Sequence, residues 1–309
     1  MRERHFLRPT TLIEARRLSK RLNILNMDLT IASETFQHTG SFKFRAAYNV
    51  AANVEAPAIL TASSGNFGQA LAYACSLLSK RAIVVMPETS ARVKMDAVRE
   101  HGGTVEPVDV RVKSRADRVA ELHLQHPEAF VASAYDHPLV IEGNASLGHE
   151  LAPLDFDVIV VAVGGGGLSS GIIQGLREAG NKKTRVVGAE PLLGNDAARS
   201  LAAGRIVTNE SEPQTLADGA RTVSLGEHNW AILKDGIEAI VEVPEENIAE
   251  AVRLLFSLAN LKAEPTGALG LGALLTDPGR FEGRRVCAVV TGGNVDPDVF
   301  HRILTGLAG

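Results

Sequence analysis

The sequence predicts an α/β protein whose parallel sheets carry helices on both faces. Three observations predict it. Short apolar runs alternate with amphipathic segments from Ala58 onward, those runs are near-continuous in Val, Ile and Ala, and three of them end in glycine-rich loops. Continuous apolar strands are buried on both faces, and the amphipathic segments between them supply the crossovers of a parallel sheet.

In chain order, APAILTA reads as a strand and GQALAYACSLLSK as the helix after it. RAIVVMP is a strand and ARVKMDAVREHG a helix. GTVEPVDV is a weaker strand, followed by the helix SRADRVAELHLQHP. AFVASA, a helix around EGNASLGHELAP, and the strong strand DVIVVAV come next. GLSSGIIQGLREAG then reads as a helix and TRVVGAEP as a strand. EENIAEAVRLLFSLAN and GALGLGALL are further helices, and RRVCAVVT is a last buried strand. No fixed-period repeat, low-complexity tract or clear linker is visible, so any second domain is expected to be inserted and discontinuous.

The 309 residues, 45% hydrophobic and 22% charged, can bury a sizeable core without staples. A formal net charge of −4 gives no basic field for nucleic acid or an anionic membrane. The two cysteines lie in apolar settings, GQALAYACSLL and RVCAVV, and are expected to be buried, reduced thiols. The nine histidines are scattered, with no HExxH or CxxC spacing. The start, MRERHFLRPTTLIEARRL, is charged and lacks the apolar stretch of a signal peptide, and no apolar run is long enough to span a membrane. The cytoplasm is the default compartment.

The placement of the glycines carries the functional reading. AILTA runs into Ser63-Ser64-Gly65-Asn66-Phe67-Gly68, DVIVVAV into Gly164-Gly165-Gly166-Gly167, and VCAVVT into Gly292-Gly293-Asn294. Ligands of parallel α/β sheets bind at the carboxyl ends of strands, where these loops can converge. Four glycines opening directly into a helix free the backbone to curl and present N–H groups, which makes a phosphate cup. A dinucleotide site is the competitor: residues 165–170 almost fit G-x-G-x-x-G, with Ser170 at the last glycine position and Glu190 where a ribose-binding acid belongs. It leaves the other loops unexplained. So does it leave Lys43, which stands between Phe42 and Phe44. Desolvation there disfavours the ammonium form and frees the amine as a nucleophile; taken alone, the residue also reads as a surface lysine.

Together the segments GSFKFRAA, SSGNFGQALAYA, VAVGGGGLSSG, GAEPLLGNDA, LADG, EPTGALGLGAL and VVTGGNVD resemble the fold-type-II pyridoxal 5′-phosphate (PLP) enzymes, in particular the serine/threonine dehydratase and serine racemase family. They cover nearly the whole chain in the family's order. The resemblance implies a two-domain, tryptophan synthase β-like α/β fold: a large PLP-binding domain of residues 1–56 plus 136–309, and a small domain of residues 57–135. It implies that Lys43 holds the cofactor covalently and then takes the Cα proton, with Phe42 near the pyridine ring and Asn66 on its 3-oxygen. Gly164, Gly165, Gly166 and Gly167 would carry the phosphate and Thr291 would meet the pyridine nitrogen, where a hydroxyl favours β-elimination over transamination. Ser63, Ser64, Gly65, Asn66 and Phe67 would clasp the substrate, and Ser64 would be the second acid/base on the face opposite Lys43. Glu190, Gly194 and Asp196 have the spacing of an Mg²⁺ or Mn²⁺ site in racemase-like relatives, and hard oxygen ligands suit such ions.

The expected activity is ammonia-lyase conversion of a β-hydroxy amino acid, such as L-threonine or L-serine, to a 2-oxo acid and ammonia. A serine-type racemase, a phenylserine or hydroxyaspartate dehydratase and a β-replacement enzyme stay open as alternatives, as does a nucleotide-binding protein without PLP. A homodimer is expected by resemblance alone, and feedback through a C-terminal regulatory domain is not expected. Three departures bear on the pocket: Phe67 where the family usually has histidine, Gly143-Asn144-Ala145-Ser146 for Gly-Gln-Gly-Thr, and Ala46 for glycine. The first suggests a taste for bulkier β-substituents.

Overall fold

The computed structural model describes residues 6–63, 65–90 and 92–306. The chain opens with β1 (Thr11–Glu14), α1 (Arg16–Leu22), β2 (Asp28–Ser33) and α2 (Lys43–Asn53). Four strands and three helices follow: β3 (Ala58–Ala62), α3 (Asn66–Leu77), β4 (Arg81–Pro87), α4 (Arg92–Glu100), β5 (Thr104–Val108), α5 (Arg115–Gln125) and β6 (Ala129–Ala132). Next come α6 (Pro138–Leu151), β7 (Val158–Ala162), α7 (Gly167–Glu178), β8 (Arg185–Pro191), α8 (Asp196–Ala203) and α9 (Glu227–Gly236). The chain continues through β9 (Ala239–Val243), α10 (Glu245–Ala259), α11 (Pro265–Thr276), β10 (Arg285–Val290) and α12 (Pro297–Thr305).

The strands form two sheets. The larger has the order β1-β2-β10-β7-β8-β9, and the smaller β5-β4-β3-β6. Every pairing is parallel except β1 with β2. The β7 segment VIVVA is buried throughout, as a strand covered on both faces must be. Its two sides meet separate apolar clusters, one built with α10 and α11, the other with α6 and α7. The small sheet's core is shared by α3 and α2: Phe44, Ala47 and Val50 pack in one cluster with Leu71 and Ala74. A helix that the resemblance groups with the large domain thus packs into the core of the small sheet.

Two contacts fix the frame around α2. Helices α6 and α7 touch at Gly148 and Gly175, where a Cβ on either would run into the other helix's backbone. Arg45 of α2 is fully buried and donates to Glu34 (Nε–Oε2 2.7 Å, Nη2–Oε1 2.9 Å), to Glu150 (2.7 Å) and to Ser146 (3.0 Å). Facing two carboxylates, its guanidinium is held charged despite burial, with its pKa raised. Ser146 belongs to the divergent Gly143–Ser146 segment, so that departure is absorbed into the packing of α2 on α6.

Among the described residues no helix is long and apolar enough to cross a membrane. Cys75 and Cys287 are free and buried, and burial pushes both thiols up to about 12.

Candidate active site

A cavity of about 770 Å³ lies at the carboxyl ends of β3, β7 and β10. Lys43, Asn66, Phe67, the glycines 164–167 and Thr291 line it together. Loops nearly 250 residues apart in the chain therefore meet because parallel strands present their carboxyl ends on one side.

Lys43 is the first residue of α2. Its loop is stitched to the end of β10: Ser41 bridges Gly292, and the Phe42 N–H donates to the Thr291 carbonyl at 3.0 Å. The residue as a whole is half-buried, but its amine is enclosed. Nζ lies 5.0 Å from the Phe42 ring centre and 5.9 Å from that of Phe67, and donates to the Ala134 carbonyl at 3.0 Å. Burial lowers its pKa to about 8, against the pull of the Glu264 carboxylate. A fraction of neutral amine is thus present near neutral pH, which a nucleophile requires.

The four glycines behave as a cup. Gly166 sits at φ +93°, a conformation side chains resist, and a Cβ on Gly167 would lie 2.6 Å from the Tyr135 carbonyl. Three of the loop's carbonyls are held by protein donors: Gly165 by Asn229 (2.7 Å) and Gly226 N, Gly166 by Ser169 (3.1 Å) and Ser170 N, Gly167 by Asn144 (3.1 Å). With the oxygens turned away, the N–H groups at the start of α7 are left for an anion.

The comparisons with known proteins agree with this geometry. Residues 4–292 match the model of the family described as pyridoxal-phosphate dependent enzyme. The chain is 37% identical over 284 residues to an L-threo-3-hydroxyaspartate ammonia-lyase of a Pseudomonas species, covering 89% of this chain and 88% of that one. The chain belongs to the pyridoxal-phosphate-dependent enzymes. A serine racemase of Mus musculus is 34% identical, covering 88% of this chain and 83% of its own. Among solved structures, a T.th. threonine deaminase superposes with a TM-score of 0.88 at 36% identity, covering 94% of both chains. Maize serine racemase gives 0.89 at 28% identity, covering 98% of this chain and 93% of that one. The protein is a fold-type-II PLP enzyme of the ammonia-lyase group, with pyridoxal 5′-phosphate as its cofactor.

The residues present fit that cofactor: an enclosed amine for its aldehyde, a cup of N–H groups for its phosphate, and a buried Thr291 beside them. Bound PLP supplies an electron sink for charge developing at the substrate Cα. Of the predicted clasp, Gly65 has open space where a Cβ would be, so backbone can approach a ligand there. Ser63 is buried, and its hydroxyl accepts from the Gly68 N–H at 3.0 Å, capping α3. Phe67 is only 1% exposed and packs with α3 in the small sheet's core, so it covers the lysine more than it widens the cavity. Ser64 lies outside the described residues.

Two residues of the expected metal site are buried acids, Glu190 near the end of β8 and Asp196 at the start of α8. Glu190 accepts from the N–H groups of Ala197 (3.1 Å) and Ala198 (2.6 Å) at the start of α8. Asp196 Oδ1 accepts from Asn209 at 2.9 Å, while its Oδ2 is buried with no hydrogen-bond partner among the described residues. Desolvation raises Glu190 to about 8 and Asp196 to about 6. No cluster of three or more His, Cys, Asp or Glu exists among the described residues. Two carboxylates with an orphaned oxygen fit a hard cation completed by carbonyl and water.

Two groups escaped the sequence reading. Glu264, at the head of EPTGALGLGAL, is buried in the cavity wall and accepts from Asn66 Nδ2 at 2.7 Å; burial raises its pKa to about 8. An acid directly before a helix-starting proline was the available signal. Lys94, Arg115 and Arg221 also line the cavity. Lys94 pairs with Asp218 at 2.7 Å and Arg115 with Glu212 at 2.5 Å, both joining the small sheet's helices to loops of the large one. Their sequence neighbourhoods look like ordinary solvated helix faces, so nothing in the one-dimensional pattern set them apart.

Proposed function

We propose that the enzyme is a dehydrating ammonia-lyase for a β-hydroxy amino acid with an acidic β-substituent, of the 3-hydroxyaspartate class. The observation that carries this is the trio of cations, Lys94, Arg115 and Arg221, on one cavity with Lys43. With the α-carboxylate met at the start of α3, these cations are left for a second carboxylate, which a dicarboxylic substrate has and serine lacks. The names of similar proteins point the same way: besides the Pseudomonas lyase, a beta-hydroxyaspartate dehydratase of Paracoccus denitrificans is 35% identical over 91% of this chain.

Lys43 takes the Cα proton, and its depressed pKa suits it to act as a base near neutral pH. The β-hydroxyl leaves with a proton as water. The released enamine then takes up water and gives the 2-oxo acid and ammonia, so the net change is loss of ammonia. Asn66 and Gly65 line the cavity at the start of α3 and on this reading take the substrate's α-carboxylate, and the cofactor contacts of Phe42, Asn66, the four glycines and Thr291 follow the family arrangement. We further propose Mg²⁺ or Mn²⁺ at Glu190, Asp196 and the Gly194 carbonyl, supported by the orphaned Asp196 oxygen, and a homodimer on resemblance alone.

The test is 2-oxo acid release by PLP-loaded protein from L-threo-3-hydroxyaspartate, serine, threonine and phenylserine, with chiral analysis of leftover substrate. The hydroxyaspartate is expected to lead serine by about tenfold or more in kcat/KM, the scale of one charged hydrogen bond. Arg115→Ala and Lys94→Ala should erase that lead and leave serine turnover nearly intact. Equal turnover of serine and the diacid would overturn the acidic-substrate reading, and racemised substrate without oxo acid would overturn the lyase reading.

A further inference from the structure

Asn66 reaches the cavity from the small sheet, and its carboxamide could present either an oxygen or an N–H to a ligand. The hydrogen bonds around it decide which. Asn294, in the loop after β10, donates through Nδ2 to two acceptors: the Thr39 carbonyl at 2.7 Å and Asn66 Oδ1 at 2.8 Å. Asn66 Nδ2 then donates to Glu264 Oε1 at 2.7 Å.

The order of this relay is dictated at its first end. A backbone carbonyl can only accept, so Asn294 must turn its NH₂ toward Thr39. That same NH₂ then faces Asn66, which must answer with its oxygen. Its own NH₂ is thereby turned to Glu264, and one N–H is left without a protein partner among the described residues. The molecule has shaped the backbone around this anchor. Thr39 holds φ +60° and ψ +15°, a left-handed conformation that costs a β-branched residue roughly 1–2 kcal/mol. Gly40 beside it has φ +74°, and a Cβ there would lie 2.5 Å from Asn294 Oδ1. Gln69 reaches the Thr39 carbonyl only at 3.5 Å, so Asn294 is its main donor.

We propose that Asn294 is a positioning residue: it sets the direction of the Asn66 carboxamide and so ensures that Asn66 offers a donor to the oxygen on the cofactor ring. This rests on the reading that Asn66 meets that oxygen. Strain at Thr39, a glycine cleared for Asn294 and a chain of three directional bonds are otherwise unconnected facts.

The test is PLP affinity, by equilibrium dialysis of stripped protein, for wild type, Asn66→Ala, Asn294→Ala, the double variant and Asn294→Asp, with melting of each apo protein as a fold control. Asn66→Ala and Asn294→Ala should each weaken binding by about tenfold, and the double variant should be no weaker than Asn66→Ala alone. Asn294→Asp, equal in shape but unable to donate, should bind more weakly than Asn294→Ala; a space-filling role predicts the reverse order. Additive losses in the double variant, or an aspartate variant that binds at least as well as the alanine one, overturn the proposal. If Asn66→Ala binds as tightly as wild type, the reading of Asn66 itself falls. Should the aspartate variant fail to melt cooperatively, the alanine cycle decides by itself.

Discussion

At the scale of single residues, the enclosed amine of Lys43 carries the chemistry, and its neighbours tune it. Two phenylalanine rings and a carbonyl surround Nζ, and Glu264, the carboxyl that pulls on its charge, is itself raised toward its neutral form. Lys43→Ala is expected to abolish borohydride fixation of a pyridoxyl tag and to slow turnover by about 10²–10⁴-fold, the usual loss of a general base. Phe67 has a different job from the one its position in the SGN loop suggests. Buried in the small sheet's core, it shields the lysine. Phe67→His should lower stability by roughly 1–3 kcal/mol, the cost of a buried polar ring, and should leave the ratio of phenylserine to serine turnover unchanged; a denaturant titration and a substrate comparison check both. The lysine, the tetraglycine and Asn66 were legible in the sequence because backbone chemistry fixes them. Glu264 and Asn294 were not, because their roles depend on hydrogen bonds across 198 and 255 positions of sequence.

At the scale of elements, the strands from β3 to β8 and β10 follow from apolar runs, and the loops after them from their glycines. β1, β2 and β9 were not read. β2 opens on Asp28 and mixes polar residues into a short run, while β1 and β9 lie at the sheet's edges and are only half-buried, so their hydrophobic signal is weak. α8 was missed for its shortness, yet its first turn holds Glu190. Both acids there have folded pKa values raised above the ordinary carboxylate range, to about 8 and about 6. In the metal-free protein, the stability this gives is present at low pH and is lost as pH rises through 6 and then 8, because the native state holds the protons more tightly. A divalent cation binds the deprotonated acids, so Mg²⁺ should raise the melting temperature more at pH 8 than at pH 6. An equal shift at both values would argue against this pair as ligands.

At the scale of the whole molecule, α2 is the joint between the sheets. It carries Lys43 at its start, packs on α3 and α6, and is locked by Arg45 to Glu34 beyond β2 and to Glu150 on α6. Glu34→Gln leaves Arg45 with Glu150 as its one remaining carboxylate and weakens two buried charged hydrogen bonds. It should therefore cost about 1–3 kcal/mol of stability and loosen the lysine's setting, visible in thermal unfolding and in weaker PLP retention. Two ion pairs, Lys94–Asp218 and Arg115–Glu212, cross the cavity mouth between the two sheets' territories. On the proposed acidic-substrate reading, the second carboxylate would compete with Asp218 and Glu212 for their cations, which would couple binding to the approach of the two halves.

The position of β10 has a bearing on biosynthesis. It fills the gap between β2 and β7, although almost the whole polypeptide precedes it. While the ribosome is still making residues up to 284, the β1–β2 pair has no strand to lie beside, and β7 presents a naked rim where another chain could pair. The small sheet, contiguous in sequence, can close long before. Newly made protein therefore passes through a half-assembled stage in which one sheet is finished and the other gapes, and that is the stage at which a chaperone would be needed most.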